Sequence, residues 1–174
     1  MLFNKTLLAA AMLAFGSAAI TAQAATTSPA TATFQVRMTI LDSCAVTAGG
    51  ASDIQIGAAA GVDSNSGSNN GTSDIQVQCS NGTPYEVGLA PSNSDSTGAG
   101  IMSGTTGDEV PYQLHSASAT GPIWGNTATS TDTGNGVHGV GDGTAQSIPV
   151  FAVAPSANFM PGDYTDLVTV NVNF

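Results

Sequence analysis

From residue 33 to the end of the chain, apolar side chains recur with a period of two. No window after residue 25 repeats them at i, i+3, i+4 and i+7, the spacing that an amphipathic helix requires. Successive side chains of a strand point to opposite faces, so this alternation describes half-buried β-strands. The clearest example is "TFQVRMTI", residues 33–40, in which Phe34, Val36, Met38 and Ile40 alternate with Gln35, Arg37 and Thr39. Further strands are expected near Cys44–Ala48, Asp53–Gly57, Ser73–Cys79, Pro84–Ala90, Val110–His115, Ile148–Ala154 and Tyr164–Phe174. Polar segments rich in Gly, Ser, Asn and Thr separate them: residues 62–72, 91–100 and 127–146. The last is long enough to be expected as an exposed, mobile loop. Many short strands of this kind indicate an all-β sandwich or barrel.

The first 24 residues have a different character. Lys5 supplies a positive start, Leu7–Ile20 is an almost unbroken apolar run, and Ala22-Gln23-Ala24 forms a small-residue cleavage signal. This is the pattern of a secretory leader (residues 1–24), with a mature chain expected from Ala25. The run is shorter than the roughly 20 residues that a membrane-spanning helix needs. The following 150 residues fit one domain.

Charge excludes several functions. The mature part carries one base, Arg37, against twelve acids, a net charge of −11. Nucleic-acid binding needs a basic stripe to neutralise phosphates, and there is none. Only 8% of the chain is charged at all, so its polarity rests on uncharged side chains. The two cysteines, Cys44 and Cys79, are expected to form one disulfide in an exported protein.

Few residues carry a signal for catalysis or metal binding. Asp108 and Glu109 are adjacent in a strand and so point apart, which makes a poor acid–base pair. His115 and His138 have no Ser or Cys nucleophile context. "DTGNG" (132–136) and "GDGT" (141–144) suggest calcium loops, but neither completes an EF-hand spacing. Trp124 could stack on a sugar, but a packed core indole is the expected role. Asn70-Gly71-Thr72 and Asn81-Gly82-Thr83 have the form of glycosylation sequons and are expected as turns. No enzyme activity, cofactor or metal is expected.

The two ends of the chain raise one question together. In "DYTDLVTVNVNF", Tyr164, Val168, Val170, Val172 and Phe174 share one face, with Asp166 the exception. A strand this apolar wants neighbours on both edges, and an exposed apolar edge invites pairing with another chain. The N-terminal strand of one molecule could fill that edge in the next, a head-to-tail contact that builds a fibre. Alternatively, residues 33–41 fold back as the first strand of their own sheet.

Several blocks, in order, resemble the spore coat protein U-like domain family, which includes subunits of archaic (Csu-type) chaperone–usher pili. These are "TFQVRMTILDSCAV" (33–46), "IQVQCSNGTPYEVGL" (75–89), "VPYQLHS" (110–116), "IWGN" (123–126) and "IPVFAVAPSANFMPGDYTDLVTVNV" (148–172). Ile101, His115 and Ile56-Gly57 depart from residues common in the family. The resemblance implies an incomplete immunoglobulin-like β-sandwich lacking its last strand and completed by a donor strand from a neighbouring subunit. Residues 25–42 would then be the donor extension, with Phe34, Val36, Met38 and Ile40 as groove-facing side chains. Residues 43–174 would be the sandwich, whose edge (Tyr164, Val168, Val170, Val172, Phe174) first takes a strand from a periplasmic chaperone. An outer-membrane usher would exchange that strand for the next subunit's donor. The implied function is a homopolymeric pilus subunit, of the shaft rather than the tip adhesin, exported to the cell surface for adhesion and biofilm formation. A self-contained secreted carbohydrate-binding module or coat protein is the alternative.

Overall fold

The computed structural model describes residues 28–29, 31–48, 53–57 and 69–174. The expected leader and the first part of the 62–72 loop lie outside the described residues. Among the described residues nine strands form: β1 (Cys44–Thr47), β2 (Asn70–Cys79), β3 (Pro84–Ala90), β4 (Ala99–Gly104), β5 (Glu109–Ser116), β6 (Val137–Val140), β7 (Ala145–Val153), β8 (Tyr164–Thr165) and β9 (Thr169–Asn173). They make two antiparallel sheets, one of order β1-β2-β7-β5-β4-β8 and one of order β6-β3-β9. No helix occurs among the described residues.

The core lies between the sheets, and alternation places it there. In β2, Ile75, Val77 and Cys79 are buried while Gln76 and Gln78 face away. Tyr112 and Leu114 of β5 and Val150 and Ala152 of β7 complete that side. Tyr85, Val87 and Leu89 of β3 face them. Taken in chain order, β1, β2, β7 and β5 occupy the A, B, E and D places of an immunoglobulin sandwich, and β3 and β9 occupy C and F. The fold is therefore all-β and immunoglobulin-like. In that plan the seventh strand, G, lies beside F. Among the described residues, no strand pairs with the outer edge of β9.

Four expectations need correction, the first being the strand at residues 33–40, which pairs with no strand among the described residues and does not form. Asp53–Gly57 is not a strand, although Ile54 and Ile56 pack on the core. Its backbone presses on β2: a Cβ at Gly71 would lie 2.3 Å from the Gln55 carbonyl oxygen. Asn70–Thr72 opens β2 and is not a turn. Asn81-Gly82 does turn, with Gly82 at φ 85° and the Thr83 N–H donating to the Ser80 carbonyl. β6 lies inside the expected 127–146 loop, and the stretch before it is tied down by Asn135. That side chain accepts from the Thr127 amide (2.9 Å) and hydroxyl (2.8 Å) and donates to the Ser96 carbonyl (2.7 Å).

The final strand divides in two. β8 pairs with β4 in the six-stranded sheet, whereas β9 pairs with β3 in the other. The crossover at Asp166–Val168 explains why Asp166 interrupts the apolar face. Its Oδ2 accepts a 2.6 Å hydrogen bond from the Tyr112 hydroxyl, and its Oδ1 accepts from the Leu167 amide at 2.8 Å. The carboxylate thus links the two sheets where the chain changes between them.

Candidate assembly interface

Val168, Val170 and Val172 point inward from the end of the chain and pack on the core. Asn171 and Asn173 point outward, where their amides donate to the Asn126 side chain (2.9 Å) and the Ala128 carbonyl (3.2 Å). On one side, β9 is paired with β3 over five positions, from Glu86↔Asn173 to Ala90↔Thr169. Its other side is the edge of the three-stranded sheet. β1 is the neighbouring edge of the six-stranded sheet and approaches β9 closely. At the C-terminal end of β9 is an open cavity of about 470 Å³, lined by Ala128, Thr129, Ser130, Val172, Asn173 and Phe174. Phe174 is half exposed. Tyr164, by contrast, is separated from this edge: it lies in β8 and its hydroxyl donates to the Met160 carbonyl at 2.7 Å.

The N-terminal segment has the opposite character. Residues 31–40 form neither strand nor helix. Phe34, Val36, Met38 and Ile40 are 88%, 85%, 81% and 76% exposed. Four alternating large apolar side chains are thus exposed together on one short segment. Arg37 donates to the side-chain oxygen of its same-face neighbour Gln35. The chain becomes anchored just after this stretch. Ser80 Oγ donates to the Leu41 carbonyl (3.2 Å), Thr83 Oγ1 to Asp42 Oδ1 (2.9 Å), and the Ser80 amide to the Ser43 carbonyl (2.9 Å). Cys44 and Cys79 face each other across β1 and β2 and are disulfide-bonded. The bond therefore joins neighbouring strands of one sheet and fixes the anchoring point.

The remaining candidates have structural roles. Trp124 is wholly buried and its indole N–H donates to the Val87 carbonyl at 2.8 Å, so it presents no face for a sugar. Asp132 accepts from the Gly134 amide (3.0 Å), and Asp142 from the amide and hydroxyl of Thr144 (both 2.8 Å), as turn caps. Asp108 accepts from the Met160 amide. His115 Nδ1 lies 2.8 Å from the Gly121 carbonyl. No three His, Cys, Asp or Glu side chains converge on a metal-sized site among the described residues.

Two polar pairs have no equivalent in the sequence reading. One is Tyr112–Asp166. Burial first, then the hydrogen bond and charge of Asp166, push the Tyr112 hydroxyl well above the ordinary tyrosine range. The other is Glu86–His138. Glu86, on the outer face of β3, is only 8% exposed; its Oε1 accepts from His138 Nδ1 at 2.7 Å. Its Oε2 is buried and has no hydrogen-bond partner among the described residues. Both pairs join residues 52 or more positions apart, and the only hint in the sequence was the polar interruption at Asp166.

Comparison with known proteins agrees with this geometry. A solved complex from the archaic chaperone-usher Csu pili of Acinetobacter baumannii contains a chain of similar fold, with 24% identity and a TM-score of 0.53. That structure is described as a chaperone–tip adhesion subunit (CsuC–CsuE) pre-assembly complex. The match covers 78% of the present chain but only 40% of the other. No curated protein matches the sequence. The sequence matches the Spore Coat Protein U domain over residues 30–171, most of its length, and the chain belongs to that family.

Proposed function

We propose that this protein is a structural subunit of a surface pilus, built by donor-strand exchange between copies. The observation that carries the reading is the outer edge of β9. There a strand with two core-facing valines, Val170 and Val172, ends its sheet, and the same chain carries an exposed segment with four alternating apolar side chains. Residues 31–40 of one copy add to the β9 edge of the next and occupy the G place of its sandwich. At about 1.5–3 kcal/mol for each large apolar side chain buried, the four anchors contribute about 6–12 kcal/mol before ordering entropy. Strand hydrogen bonds satisfy the open backbone edge as well. The contact is head-to-tail and does not close, so it propagates into a filament.

Family membership and the likeness to the Csu complex support the assembly route. The chain is exported and held by a periplasmic chaperone whose strand covers the β9 edge. An outer-membrane usher exchanges that strand for the donor of another copy. The product is a homopolymeric shaft, with a tip adhesin at its end, that serves adhesion and biofilm formation at the cell surface.

Replacing Val36 or Met38 with Asp tests the reading, since a charge buried in the groove opposes insertion. The expected result is loss of surface filaments while disulfide-bonded subunit persists in the periplasm. Full-length filaments from either variant would refute the donor assignment.

A further inference from the structure

Arg37 is the only base in the mature chain, and it lies on the polar face of the donor segment, beside Gln35. With Phe34, Val36, Met38 and Ile40 turned into a neighbour's groove, period-two geometry turns Gln35, Arg37 and Thr39 to the outer face of the neighbour's small sheet. On that face, β9 presents Thr169, Asn171 and Asn173, and the next strand, β3, presents Glu86, Gly88 and Ala90 opposite them. Glu86 is the one acid in this set. It is directly across from Asn173, is almost wholly buried, and leaves one carboxylate oxygen without a hydrogen-bond partner. A carboxylate accepts on both oxygens, and a buried one left half-satisfied is costly.

We propose that Arg37 of the incoming subunit docks over Asn173 and pairs with Glu86 of the receiving subunit, and that this contact sets the donor-strand register. The inference rests on the donor-strand reading above. The donor lies two strand spacings from β3, about 9–10 Å. An extended arginine carries its guanidinium about 7 Å from its Cα, and the glutamate side chain spans the remainder. Arg37 gives up its bond to Gln35 in exchange for a charged acceptor in a sheltered site, the stronger kind of hydrogen bond. His138 keeps the other oxygen of Glu86, so the carboxylate is held from both sides. The placement also preserves the inward parity. With Arg37 beside Asn173, the flanking Val36 and Met38 fall beside Val172 and Phe174 whichever way the incoming strand runs, one outer anchor falls beside Val170, and the other reaches past Phe174. Any shift of two residues would leave the sole cation facing Gly88 or the end of the sheet.

Pairwise cysteine cross-linking in the full chain, within assembled filaments, tests this. Directly opposed residues on one face bring their Cβ atoms to about 4.5–5.5 Å, near enough for a disulfide to close with small adjustment. The expected result is that R37C with N173C gives a multimer ladder that survives boiling and collapses with reductant, whereas R37C with N171C does not. R37Q and E86Q should each lower the temperature at which unmodified filaments dissociate, and the double variant should add little to either. A ladder from the Asn171 pair instead would overturn the register and leave the donor reading intact. Additive effects of R37Q and E86Q would overturn the ion pair. Filament formation by V36D would instead remove the donor reading itself.

Discussion

The Tyr112–Asp166 hydrogen bond should hold the two sheets in register where the last strand crosses between them. Tyr112 is buried in β5, and Asp166 lies in the crossover that delivers β9 to its edge position. Y112F removes the donor but almost no volume. Asp166 keeps its bond to the Leu167 amide and can hydrate its freed oxygen. A hydrogen bond to a charged group contributes about 1.5–3 kcal/mol, so Y112F should lose about 1.5 kcal/mol. D166A leaves a buried hydroxyl without an acceptor and also removes the Leu167 cap; it should lose about 2–3 kcal/mol. For a domain of this size, each kcal/mol shifts Tm by about 2–4 °C. Urea unfolding of the wild type, both single variants and the double variant gives the coupling energy, expected at about 1.5 kcal/mol. The pair also predicts an alkaline limit. The folded state holds the Tyr112 proton above its ordinary range, whereas the unfolded chain releases it near pH 10, its usual value being about 10. Stability is therefore full below about pH 10 and falls above it, by up to about 1.4 kcal/mol per pH unit. Y112F should flatten this fall but not abolish it, because burial raises the Tyr85 hydroxyl in the same direction. Coupling below about 0.5 kcal/mol, the range seen for independent sites, or an unchanged alkaline slope in Y112F, would refute this account of the crossover.

Two further outcomes follow from the same geometry. Reducing the Cys44–Cys79 disulfide, which closes a loop of 35 residues' separation, should destabilise the subunit by about 4 kcal/mol on the loop-entropy estimate, measured as a fall in Tm on adding reductant. G139V should destabilise by about 1–3 kcal/mol through overpacking, because a Cβ there would lie 2.2 Å from the Tyr85 ring; thermal melting beside a surface control such as S92A, at an exposed position, checks it.

Regular alternation located most of the strands, although the most regular stretch, residues 33–40, pairs with no strand and forms none. β2, β3, β5, β7 and the β9 valines follow from period-two patterning, and the cysteine pairing follows from an even count in an exported chain. The two strands that escaped, β4 and β6, fail for one shared reason. Gly100 and Gly139 are the cross-strand partners of Tyr112 and Tyr85, whose rings lie over them. Glycine is depleted in strands generally, so in a sequence it reads as a loop residue. Here it makes room for an aromatic ring, which only the pairing reveals. The division of the last strand was hidden because Tyr164–Phe174 alternates across the break. The residue that breaks the alternation, Asp166, is the one held by a tyrosine far away in sequence. Of the candidate interface, the exposed anchors and the inward valines were legible one by one. The half-satisfied Glu86 was not, because burial of a carboxylate depends on strands that the sequence does not place side by side.

The central claim is that one copy's N-terminal strand completes the next copy's sandwich. The most direct measurement is a denaturing gel of material sheared from the cell surface, run unheated and after boiling. Strand exchange predicts an unheated ladder of multimers that collapses to a single subunit band only on boiling. A single subunit band in both lanes would contradict it and would mean that the sandwich is complete within one chain.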